Sequence, residues 1–271
     1  MTGDAASAAP QPSFTELRID TSGRVGVVVL DRPARRNAWT VRLAVELDEA
    51  LRRFDADPDI AALVVTGTGD AFSVGADLAS GSITHPGGEQ LEPPAHPFLP
   101  SHVRKPVVAA LNGHAVGAGI TFSLHCDYRI LAADGKVGFP FVRRGVVAEM
   151  GAHWLLPRIT GLGVATDLLL TGRIITAAEA LEMGVVHRVV DREAVLPAAM
   201  EIAETLAEQC APRAMAGSKA LLWGSMGQAF PVAAEHEVDT FQSCAAHPDA
   251  AEGVASFLEK RPPRWTGHLK G

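Results

Sequence analysis

Three stretches of the sequence carry residue types suited to chemistry. RRGVVAEMGAHW, from Arg143 to Trp154, sets one acid, Glu149, among apolar and small residues where the pattern predicts the start of a helix. A carboxylate held beside a reacting carbon can move a proton. An acid in the first turn of a helix also complements the helix dipole, so position alone admits both roles. The dipole would lower the carboxyl's pKa, and burial among Val146, Val147 and Met150 would raise it. The other two stretches are the small-residue loops FSVGADL, Phe72 to Leu78, and NGHAVGAG, Asn112 to Gly119. Glycine and alanine let a ligand approach the backbone closely, and N–H groups at a helix start are unpaired donors. Two such groups converging on one carbonyl oxygen form an oxyanion hole. Taken singly, each loop reads as an ordinary turn.

Elements able to position these stretches are visible around them. VGVVVL (25–30) and AALVVTG (61–67) are short β-branched runs bounded by turn residues, and between them Leu43, Leu47, Leu51 and Phe54 recur at helical spacing. KPVVAAL then predicts a strand, GAGITFSLHCD a helix, and YRIL and KVGF two further strands. TAAE, Thr176 to Glu179, fits a capping box, with Gly184 closing that helix before VVHRVV resumes as strand. After Asp191 strand signals give way to helices up to Lys260. The pattern predicts an α/β fold with a disordered lead-in over 1–13, a core over 14–191 and an appended helical segment over 192–271. The Pro-, Gly- and His-rich span 80–102 is long for a connection and predicts a mobile loop or a lid. No internal repeat is visible.

Composition narrows the functional classes. A net charge of -7 offers no basic field for a phosphate backbone, which argues against nucleic acid as a partner. Cys126, Cys210 and Cys244 are odd in number, widely spaced and without any CxxC. That usage suits buried thiols in a reducing compartment better than disulfides or zinc. The first residues show neither the apolar run of a signal peptide nor the arginines of a transit peptide, and the expected location is cytoplasmic. The window 106–124 lacks formal charge, but NGHAVGAG interrupts it with turn formers and a histidine, so no membrane span is expected.

In order along the chain, LDRPARRNA, FSVGADL, KPVVAALNGHAVGAG, CDYRILAAD and EGVASFLEKRPPRW together resemble the enoyl-CoA hydratase/isomerase (crotonase) family from about Phe14 onward. The resemblance implies a spiral of ββα units, C-terminal helices that build a homotrimer or a dimer of trimers, and an acyl-CoA substrate whose coenzyme A is part of the substrate, with no separate cofactor. It puts the oxyanion donors at the N–H groups of Ala76 and Ala118. It adds acyl-CoA contacts at Ala38, Val74, Gly75, Leu78, Gly117, Thr121 and Phe141. Hydratases of the family are similar to one another in carrying two glutamates, which align here with Thr121 and Phe141, and neither can act as a carboxylate. FPFVRRGVVAEMG resembles instead the Δ3,Δ2-enoyl-CoA isomerase branch, where one glutamate, here Glu149, both takes and returns the proton. Ala148 stands where that branch has a proline.

Other residues have competing readings. His153, four positions beyond Glu149, could share its helical face and orient the carboxylate, but a satisfied structural histidine is the favoured reading. Asp77 suits capping within its loop and is assigned a binding-loop role only. His114 and His125 flank a helix expected to be mostly core, and neither is assigned to catalysis. His85, His96 and His102 lack metal-ligand spacing, and no metal site is expected. Arg32, Arg35 and Arg36 form a local basic cluster, of which the resemblance brings Arg35 and Arg36 near the CoA phosphates. It brings Phe257 and Lys260 to the CoA of a neighbouring subunit. Ser73 lies in the first loop without a nucleophile's partners. The resulting expectation is Δ3,Δ2-enoyl-CoA isomerisation in fatty-acid degradation. The alternatives are a hydratase using Glu149 with an unidentified second group, and a retired enzyme that only binds acyl-CoA.

Overall fold

The computed structural model describes residues 14–80 and 91–266. The expected lead-in over 1–13, and residues 81–90 of the expected lid with His85, lie outside the described residues. In chain order the elements are β1 (Leu17–Ser22), β2 (Val25–Leu30), α1 (Val41–Ala56), β3 (Ala62–Gly67), β4 (Ala71–Ser73), β5 (Val107–Leu111), β6 (His114–Val116), α2 (Ala118–Ser123), β7 (Tyr128–Ala132) and β8 (Lys136–Gly138). They continue as α3 (Ala152–Thr160), α4 (Leu162–Thr171), β9 (Ile174–Thr176), α5 (Ala177–Glu182), β10 (Arg188–Val190), α6 (Arg192–Gln209), α7 (Pro212–Ser225), α8 (Phe230–Ala245) and α9 (Pro248–Glu259).

From β3 to β8 successive strands alternate between two sheets. One runs β1-β2-β3-β5-β7-β10 and the other β4-β6-β8-β9. Thus β3, β5 and β7 each hand the chain to a short strand of the second sheet before it returns, which is the spiral of ββα units. The period-2 alternation of β-branched runs decides the packing. Leu63 and Val65 of β3 face the main core with Leu43, Leu47, Leu51 and Phe54 of α1. Ala62 and Val64 face the other way, against Val195, Ala198, Ala199 and Ala203 of α6. The change of pattern at Asp191 therefore marks the end of the strands but not of the core, because the small residues of α6 let it lie flat on the sheet.

Local signals hold where they are short-range. Thr40 caps α1 by accepting from Leu43 N–H at 2.9 Å. Thr176 and Glu179 form the reciprocal capping box of α5. Lys219 of α7 donates to the Asp127 carboxylate at 2.7 Å, and Trp223 Nε1–H reaches the same carboxylate at 3.2 Å, which fastens α7 to the turn between α2 and β7. Beyond the undescribed 81–90, the loop lies on α1. Phe98 N–H donates to Asp48 at 2.5 Å and Arg52 sits 4.6 Å over the Phe98 ring. Among the described residues no helix is long and apolar enough to cross a membrane.

Candidate active site

The site is set by three neighbouring parallel strands that end at the same edge. β4 pairs with β6 and β6 with β8, all parallel. Their following segments, 74–78, 117–118 and 139–149, therefore emerge side by side. Two glycines let the first two nearly touch. Gly75 has φ +88, and a Cβ there would meet Val116 O at 3.0 Å; Gly117 has φ +57, and a Cβ there would meet Gly75 Cα at 3.3 Å. Both positions need a residue without a side chain, on conformational as well as steric grounds.

The backbone donors are left free by this arrangement. Trp39 N–H donates to Gly75 O at 2.7 Å and Asp77 N–H donates to Trp39 O at 2.8 Å. Ala76 sits between these two bonds in a parallel bridge with Trp39, so strand alternation turns its own N–H away from Trp39. Ala118 is the first residue of α2, where an N–H has no intrahelical acceptor. Among the described residues neither N–H donates to a protein acceptor.

Ala76 and Ala118 line one cleft of about 230 Å³. Val74, Gly75, Leu78, Gly117, Phe141 and Glu149, named in the sequence analysis, line it too, joined by Trp39, Val116, Pro140, Arg144, Val146 and Val147. Glu149 is the one carboxylate among these lining residues. It is not in a helix. The chain reverses after it through Met150 at φ +50 and Gly151 at φ +65, and α3 begins only at Ala152. The expectation of a first-turn acid is thereby corrected, because two successive left-handed residues separate Glu149 from the helix. The Glu149 side chain is open to the cleft, yet burial pushes its carboxyl above the usual glutamate range, and no donor among the described residues offsets this. Desolvation prevails because the dipole acts only within a helix's first turn. His153 is exposed on α3 and makes no pair with Glu149.

Several other predicted residues stand outside the cleft wall. Thr121 is fully buried and its hydroxyl donates to Gly117 O and Ala118 O, each at 3.2 Å, so it packs behind the donor loop. Asp77 is buried, accepts from Ala79 N–H at 3.2 Å and also binds Arg32 at 3.0 Å and Arg35 at 2.7 Å. The Arg35 guanidinium, followed by Arg32, holds the Asp77 carboxyl down at about 2. Arg35 is half exposed; Arg36 pairs with Asp70 at 3.2 Å. Ala38 is buried and its carbonyl accepts from Arg32. Asn37, in the same motif, is fully buried at φ +52; it accepts from Arg32 N–H at 2.9 Å and donates to Thr68 O and Ala71 O. Phe257 and Lys260 lie at the end of α9, with Phe257 81% exposed. Val146 and Val147 were legible as apolar neighbours of Glu149. Trp39 and Arg144 were missed, since only the pairing of distant loops brings them to the cleft.

Two sheets wound as a spiral, with their backbone-lined cleft, constitute the crotonase fold. The chain belongs to the enoyl-CoA hydratase/isomerase family, whose profile matches residues 20–268, and it is an acyl-CoA enzyme of that family. A protein from Rhizobium meliloti (strain 1021) named "Probable enoyl-CoA hydratase" is 37% identical over 254 residues, 92% of this chain and 97% of its own. One of the same description from Mycobacterium leprae (strain TN) is 34% identical over 254 residues, 93% of this chain and 98% of its own. The crystal structure of a probable enoyl-CoA hydratase/isomerase from Mycobacterium abscessus superposes with a TM-score of 0.87 at 39% identity, covering 93% of this chain and 99% of that one.

Proposed function

We propose that the enzyme isomerises a 3-enoyl-CoA to the conjugated 2-enoyl-CoA. The observation carrying this reading is that Glu149 is the one carboxylate among the described lining residues; the family resemblance, which puts the hydratase glutamates at Thr121 and Phe141, adds to it. The thioester carbonyl oxygen accepts from the Ala76 and Ala118 N–H groups. Glu149 takes a proton from C2, the electron pair moves onto the carbonyl oxygen as a dienolate, and the two donors stabilise the developing charge. Glu149 then returns the proton to C4 and the double bond comes to rest between C2 and C3. One group acts as base and then as acid, so no second carboxylate is needed.

Hydration of a 2-enoyl-CoA is the second reading, favoured by the names of the relatives. It requires a group besides Glu149 to share activation of water and protonation of C2. The two are separated by absorbance of the conjugated thioester. Isomerisation makes it rise when purified enzyme receives a 3-enoyl-CoA. If it stays flat there and falls with a 2-enoyl-CoA, hydration replaces our reading.

The reading extends to a cytoplasmic role in fatty-acid degradation and to a homotrimer or hexamer in which Phe257 and Lys260 approach a neighbour's CoA. Exposed Leu222, Phe230, Phe241, Phe257 and Leu258 on α7 to α9 support an assembly, because so many large apolar side chains seldom stay in water. Light scattering is expected to give the mass of three or six chains; a monomer would refute the assembly.

A further inference from the structure

His125 lies just past α2, the helix that begins with Ala118, and its ring spans the gap to the turn that carries Glu149. Nε2 is 2.7 Å from Met150 O and Nδ1 is 2.8 Å from Ser101 Oγ. A carbonyl oxygen only accepts, so Nε2 carries the hydrogen and Nδ1 accepts from the Ser101 hydroxyl. Burial lowers the His125 pKa to about 4, which keeps the ring neutral with this one N–H. The ring is 8% exposed and stacks on Trp223 of α7, centroids 6.0 Å apart and planes 6° from parallel. Both ring nitrogens and one face are thus held.

The carbonyl it grips belongs to a residue in an uncommon conformation. Met150, at φ +50, bears a side chain in the left-handed region, where surrounding contacts must maintain it. The Glu149 carboxylate itself receives no hydrogen bond among the described residues. Its placement therefore comes from the backbone turn and not from partners of its own. The tethers on that turn include Ala152 N–H donating to Glu149 O at 3.1 Å, His125 donating to Met150 O, and the Thr121 hydroxyl donating to Met150 Sδ at 3.9 Å.

We propose that His125 is a positioning residue for catalysis: one rigid segment carries the Ala118 N–H at its start and, through His125 past its end, fixes the turn from which Glu149 projects. The separation between oxyanion donor and proton carrier is thereby set chiefly by the short His125 link at 2.7 Å, beside the longer contact of Thr121 Oγ1 with Met150 Sδ at 3.9 Å. This inference rests on the reading of Glu149 as the proton carrier.

The test compares His125→Gln, whose amide N–H can reach the place of Nε2, with His125→Asn, whose shorter amide overlays Nδ1 and cannot. Both are assayed for turnover of a 3-enoyl-CoA and, independently, for exchange of the C2 hydrogens of butanoyl-CoA with deuterium, followed by NMR. We expect His125→Asn to lower kcat and exchange by about 10- to 100-fold with KM unchanged, and His125→Gln to stay within about threefold of wild type, since a misplacement near 1 Å is enough for such losses. Equal rates in both variants, or losses in both that merely follow the folded fraction measured by circular dichroism, would overturn the proposal. If Glu149→Gln stops exchange while His125→Asn leaves it untouched, this proposal fails and the proton-carrier reading stands. If Glu149→Gln exchanges as fast as wild type, that reading fails and takes this one with it.

Discussion

Replacing Glu149 with glutamine is expected to lower turnover of a 3-enoyl-CoA by roughly 100- to 10,000-fold, the contribution typical of a positioned general base, while the protein stays folded. Glutamine keeps the size and shape of the side chain but cannot accept the C2 proton. Binding of acyl-CoA should persist, because the Ala76 and Ala118 donors and the apolar walls from Trp39, Phe141 and Val146 are unchanged. The expected kinetic signature is a fall in kcat with little change in KM. Loss of binding in step with activity would mean that Glu149 holds the ligand and does not move its proton.

The raised Glu149 pKa makes two companion expectations. Catalysis begins with the ionised carboxylate, so kcat/KM should fall as pH drops through a value above the ordinary 4.5. For stability the sign runs the other way. A carboxyl that binds its proton more tightly when folded leaves the native state progressively less favoured as pH rises from the unfolded pKa through the folded one. At neutral pH the ionised Glu149 therefore costs stability. The glutamine variant, which carries no charge there, is expected to melt at or above the wild-type temperature in calorimetry. A lower melting temperature at pH 7 would show that the carboxylate is stabilised by a partner and that burial is not what governs it.

Legibility in the sequence follows the range of the interactions involved. Leu43, Leu47, Leu51 and Phe54 announced α1 because a helix repeats its buried face within the segment itself, and all four are buried. Thr176 and Glu179 announced α5 because a capping box is closed within four residues. The three-residue strands β4 and β6 carry no periodicity and exist through their pairing with each other, so they read as loops. That same pairing makes the site, because it brings Gly75 against Gly117. The start of α3 was misplaced for a related reason: apolar and small residues around Glu149 look helical in composition, while the positive φ of Met150 is held in part by His125, 25 residues earlier. Arg35 was legible as part of a basic cluster but not as the partner of Asp77, 42 residues away. The donors at Ala76 and Ala118 came from resemblance, since a backbone N–H leaves no mark in residue type.

Because those donors are backbone groups, ordinary side-chain substitutions leave them intact, and the informative change is Ala118→Pro. Proline at the first position of a helix is well tolerated, since the N–H it lacks has no intrahelical partner and its fixed φ suits the helix. Ala118 occupies that position in α2, and the segment is further anchored by Thr121 N–H donating to Gly117 O at 3.0 Å. The substitution should therefore remove one oxyanion donor while keeping the helix. Losing one such donor raises the barrier by about 2.7–4 kcal/mol, a fall in kcat of roughly 100- to 1,000-fold. The substrate's neutral carbonyl needs the donor less than the enolate does, so KM should change little. Melting temperature and circular dichroism guard against misfolding, because Ala118 is 2% exposed and the ring must be accommodated. A folded Ala118→Pro enzyme with wild-type kcat would remove Ala118 from the oxyanion hole. One with the expected loss, set beside Glu149→Gln, would separate the stabilisation of charge on oxygen from the movement of the proton on carbon.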